Sequence, residues 1–68
     1  MEISARNQIK GTVKSVVIGA VMAEVTVDIG YGNEIVSVIT KASAERLGLQ
    51  QGVEVTALIK SSEVLLAR

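Results

Sequence analysis

Val21-Met22-Ala23-Glu24-Val25-Thr26-Val27-Asp28-Ile29 puts an apolar residue at every odd position and mostly polar ones at the even positions. A period of two marks a strand with one buried face. Upstream, Ile9, Val13, Val16, Val17 and Ile18 make residues 8–18 a long β-branched run, with a bend expected at Gly11 and an end at Gly19-Ala20. Downstream, Gly30-Tyr31-Gly32-Asn33 supplies residues that tolerate positive φ, so a hairpin follows. The next strand, 34–39, is apolar on both faces through Ile35 and Ile39 on one side and Val36 and Val38 on the other. Burial on both sides is the expectation. Ala42, Ala44, Glu45, Arg46 and Leu47 break the alternation, which predicts a short helix over 40–47 with Thr40 as its N-cap and Gly48 ending it. A turn at 49–52, an alternating strand over 53–60 and a last short strand at Val64-Leu65-Leu66 complete the chain.

Five strands with one short helix between the third and fourth give a mainly β fold, in the element order of a small OB-like barrel, and no proline interrupts it. The 68 residues read as a single domain, 1–68. Such a chain buries only about 60% of the surface its unfolded form exposes. Something must supplement the core. Cysteine and histidine are both absent, which removes disulfides and the usual zinc sites and leaves oligomerisation. The 49% hydrophobic content points the same way, and no run approaches the ~20 apolar residues of a membrane span. The start, Met-Glu-Ile-Ser, lacks a basic and apolar leader, so a cytoplasmic location is the default expectation.

Three short clusters combine basic and hydroxyl side chains without an acid: Ser4-Ala5-Arg6-Asn7, Thr40-Lys41-Ala42-Ser43 and Lys60-Ser61-Ser62. Lys and Arg only donate hydrogen bonds and hydroxyls can turn to donate, so these groups suit a fully deprotonated oxyanion. Each also has a plainer reading. Arg6 would serve as a surface ion pair with Glu2 or another acid, Thr40 and Ser43 as helix caps, and Ser61 and Ser62 as turn residues. Asn7 reads as structural, tying the backbone of the first cluster together.

The Ser-Ala-Arg-Asn motif, followed about fifty residues later by Lys60-Ser61, together with the Gly30 turn and Ile39-Thr40 through Leu47-Gly48, resembles the molbindins, small Mop-domain proteins that bind molybdate and tungstate. The resemblance covers the whole chain. It implies a hexamer, a trimer of strand-exchanged dimers, with oxyanion sites between subunits. Carried onto matching positions, the site residues are Ser4, Arg6, Thr40, Ser43, Lys60 and Ser61, with a second, largely backbone site at Gly19 and Ala20. Molybdate or tungstate would be held through its oxygens, with no side chain coordinating the metal directly and no catalytic cofactor. A pterin pocket would need stacking aromatics, and Tyr31 is the only aromatic residue.

Other classes fare worse on composition. A nucleic-acid-binding OB module needs aromatic platforms and a basic groove, whereas here seven basic residues balance seven acidic ones. A regulatory or assembly module would need an attached domain, for which 68 residues leave no room. An enzyme is disfavoured because no nucleophile and base stand at a recognisable spacing. The expected role is storage or homeostasis of the oxyanion, with neither a nucleic acid nor a membrane as partner.

Overall fold

The alternating stretch becomes β2, Met22–Gly30, and its inward side chains Ala23, Val25 and Val27 are buried. The computed structural model describes residues 2–68. On one side β2 pairs antiparallel with β1, Asn7–Ile18, and on the other with β3, Asn33–Thr40. β1 is long enough for two partners: its second half follows β2 and its first half pairs with β4, Glu54–Ile59. The sheet order is therefore β3-β2-β1-β4, and α1, Lys41–Arg46, lies between β3 and β4 in the chain.

Serving two partners requires β1 to bend. At Gly11 it passes so close to β2 that an added Cβ would stand 2.6 Å from both the Asp28 carbonyl oxygen and Val27 Cγ1. Lys14 is then the extra residue of a bulge between the pairs Val13↔Val27 and Ser15↔Thr26, which increases the local twist. Its Nζ meets Glu34 at 2.6 Å, and that hydrogen bond, followed by the charge of Glu34, raises the Lys14 pKa. Both partners are exposed, so the pair adds little stability. The curled sheet brings its edges β3 and β4 to face each other across an apolar groove of about 750 Å³, lined by residues including Val27, Ile39, Val55 and Ile59. Val25 and Val27 line it and form the core with Val13, against which Leu49 and Val53 also pack.

Local signals explain the connections. Tyr31 (φ 55°) and Gly32 (φ 76°) form the two-residue turn that joins β2 to β3, and both take the positive φ a type I′ turn demands. Tyr31 is fully exposed, so it gains no packing to offset that backbone. Tyr31→Asn should therefore raise the denaturation midpoint, by roughly 0.5–1 kcal/mol. A lower midpoint would contradict the turn assignment. At the end of α1, Leu49 N–H donates to the Ala44 carbonyl and Gly48 N–H to that of Glu45, each at 3.0 Å. This is the Schellman pattern, with Gly48 at φ 63° in the left-handed position.

The sheet has four strands, not the five expected from sequence. Residues 64–66 do not pair. A 3₁₀ turn, Ser61–Glu63, carries the chain away from β4, and Leu65 and Leu66 are each 92% exposed. Val64 already has extended backbone, at φ −90° and ψ 118°, but a strand needs a partner and none reaches it within one chain. The two-sided burial expected for β3 is likewise half met: Ile35 and Ile39 are half-buried, while Val36 and Val38 are 58% and 62% exposed. The expected helix 40–47 is trimmed to Lys41–Arg46, with Thr40 and Leu47 as its caps.

Candidate functional site

Register, rather than sequence distance, assembles the first half of the site. β1 and β4 pair with Asn7 opposite Ile59 as the last pair of their ladder, so Arg6 directly precedes that pair and Lys60 directly follows it. The side chain of Asn7 clamps this end of the ladder, its Nδ2 donating to the Ile59 carbonyl at 3.1 Å. On the same strand Gln8 Nε2 donates to the Ala5 carbonyl at 2.9 Å and holds the bend that carries Ser4. After Lys60 the 3₁₀ turn closes through Glu63 N–H to the Lys60 carbonyl at 2.9 Å, which presents Ser61 beside the lysine. Ser4, Arg6, Lys60 and Ser61 are all exposed. Among the described residues the one ion pair is Lys14 with Glu34, so the expected alternative of an Arg6–Glu2 pair is not realised. Neither Arg6 nor Lys60 has a carboxylate partner among the described residues.

The second half-site forms at the β3–α1 junction. Thr40 caps the helix as expected, its Oγ1 accepting the Ser43 N–H at 3.0 Å. The Thr40 hydroxyl donates in turn to Ser43 Oγ at 2.8 Å, and Arg46 Nη2 donates to the same oxygen at 2.9 Å. Capping uses a lone pair of Thr40 and the bond to Ser43 Oγ uses its single proton, leaving Ser43, half-buried, as the hydroxyl with a proton to offer. The sequence reading missed Arg46. An arginine in the last turn of a helix looks like an ordinary dipole partner, and only its three-residue spacing from Ser43 on one helical face hinted at more.

The two half-sites are not joined. β3 and β4, which lead into them, are opposite edges of the sheet, and no hydrogen bond among the described residues links the clusters. At the Gly19-Ala20 turn the Gly19 N–H donates to the Met22 carbonyl at 2.8 Å, so that amide is already engaged. No group of three or more His, Cys, Asp or Glu side chains among the described residues is placed to hold a metal ion. No helix is long and apolar enough to cross a membrane.

A curled antiparallel sheet with one short helix and two donor-rich clusters defines a small β module furnished for an anion. Residues 3–66 match the TOBE domain. The chain is 48% identical over 66 residues to "Molybdenum-pterin-binding protein 1" of Clostridium pasteurianum, covering 97% of both chains. A molybdate-binding protein from Sporomusa ovata superposes with a TM-score of 0.93 at 43% identity, over the full length of both. ModG, described as a cytoplasmic molybdate-binding protein and solved with molybdate bound, gives a TM-score of 0.92 at 46% identity, over 96% of this chain and 46% of that one. The chain belongs to the TOBE-domain family, in its molbindin branch.

Proposed function

We propose that the protein binds molybdate, or the similarly sized tungstate, as a cytoplasmic store or buffer, and performs no chemistry on it. Relatives named for molybdate and for molybdenum-pterin binding support the reading at 43–48% identity, and the cytoplasmic description of ModG supports the location. The observation that supports it is the β1–β4 register, whose last pair, Asn7 with Ile59, has Arg6 and Lys60 as its immediate chain neighbours, with Ser4 and Ser61 close to them in sequence and no carboxylate in ion-pair reach of either cation among the described residues. Donors alone suit a dianion that bears no proton. Hydrogen phosphate keeps one, and an unmatched polar group costs about 1–3 kcal/mol. Sulfate has the charge and shape of molybdate but shorter bonds, so a rigid cavity slightly too wide for it provides the discrimination. We read the cargo as the anion and not a pterin, since a pterin pocket would need stacking aromatics and Tyr31 is the lone aromatic.

The complete cage joins Ser4, Arg6, Lys60 and Ser61 of one copy to Thr40 and Ser43 of another. Three features favour the hexamer, a trimer of strand-exchanged dimers built from single-domain chains. The β3 face is uncovered at Val36 and Val38, the groove between β3 and β4 is apolar, and residues 64–66 are extended without a partner. A neighbour's tail laid along that groove would supply the fifth strand and close the barrel. For the second site, the Gly19-Ala20 turn would contribute backbone groups, the Gly19 amide being already engaged by the Met22 carbonyl.

Calorimetry on protein freed of bound anion should show tight molybdate binding and far weaker sulfate binding. Equal affinity for the two, or none for either, would sink the functional reading. Solution mass checks the assembly separately, and a stable monomer is the contrary result.

A further inference from the structure

We propose that Arg46 is a positioning residue that locks the Ser43 hydroxyl into donating, and thereby sets the discrimination against anions that carry a proton. The inference rests on the anion-binding reading above. A serine oxygen accepts two hydrogen bonds and donates one. At Ser43 Oγ both acceptor positions are filled, by the Thr40 hydroxyl at 2.8 Å and by Arg46 Nη2 at 2.9 Å. The hydroxyl that faces an incoming anion is therefore a donor and nothing else.

Without Arg46 the same oxygen regains an acceptor position. It then matches the P–OH of hydrogen phosphate, the group that a donors-only cage leaves unpaired. Removing Arg46 also removes a positive charge, but that loss weakens molybdate, sulfate and hydrogen phosphate alike, since all three are dianions at mildly alkaline pH. The signature of the lock is a change in one ratio of affinities and not in another.

The test is displacement calorimetry on the intact assembly with sodium molybdate, sodium sulfate and inorganic phosphate at mildly alkaline pH. In Arg46→Ala the preference for sulfate over phosphate should shrink roughly fivefold, the worth of one regained hydrogen bond, while the molybdate-to-sulfate ratio stays put. Arg46→Lys, which keeps a donor, should restore the wild-type ratio. In a Ser43→Ala background the Arg46 substitution should have no further effect on selectivity, because the oxygen it acts through is gone. Arg46 is exposed, so folding should survive; if Arg46→Ala fails to assemble, Arg46→Met keeps the stem, lacks the donor and carries the same expectation. An unchanged sulfate-to-phosphate ratio, or an equal change with and without Ser43, overturns this proposal alone. A wild-type protein that binds none of the three anions overturns the functional reading and this inference together.

Discussion

Arg6→Ala is expected to lower molybdate affinity by about a hundredfold or more while leaving the fold nearly untouched. The magnitude follows from what a guanidinium does for an oxyanion: it gives two parallel charge-assisted hydrogen bonds, each worth about 1.5–3 kcal/mol, from a planar fork that a flexible amine cannot imitate. Loss of even 2.7 kcal/mol is roughly a hundredfold in affinity. Stability should hold because Arg6 is exposed and joins no ion pair or side-chain hydrogen bond in the chain. Surface changes of that kind usually stay within about 0.5 kcal/mol. Arg6→Lys separates charge from geometry and should recover only part of the loss. Identical titration curves for wild type and Arg6→Ala would remove Arg6 from the site. A large fall in melting temperature would instead mean that the residue holds the fold.

Gly11→Ala should be the most damaging single methyl addition in the chain. The new Cβ would lie 2.6 Å from the Asp28 carbonyl oxygen, a backbone atom that no rotamer change can move aside, and equally close to Val27 Cγ1. Relief requires β1 to lift from β2 at the point where it turns to pair with β4. Overpacking typically costs about 1–3 kcal/mol, and here part of the sheet pairing goes with it. Against a total stability of about 0.05–0.15 kcal/mol per residue, that is a large share. Chemical denaturation should show a midpoint well below wild type, or an insoluble product. A variant with the wild-type midpoint would show that β1 does not make its close pass there.

How much of this was readable beforehand follows from what each signal encodes. The period of two in β2 was legible because alternation reports burial directly, and Ala23, Val25 and Val27 are the buried side. Thr40 as a cap and Gly48 as a terminator were legible because their chemistry is local. The apolar run 64–66 misled, since hydrophobicity says that a segment wants cover but not which chain provides it. Residue type alone marked the donor clusters. That Arg6 and Lys60 flank one and the same strand pair was hidden, because it depends on a register fixed by every pair between Asn7 and Thr12. Arg46 was hidden for a different reason. Its significance depends on both acceptor positions of Ser43 Oγ being filled, and the second is filled only when Thr40 folds back onto the helix.

The positive charges of Arg6 and Lys60, which flank the last β1–β4 pair, carry a consequence for turnover. Among the described residues no carboxylate offsets them, and loading with a dianion supplies the missing counter-charge. Anything held by the native form alone adds RT ln(1 + [L]/Kd) to its stability. Filled particles should accordingly outlive vacant ones under proteolysis, so that a cell starved of the metal would shed its unused containers first.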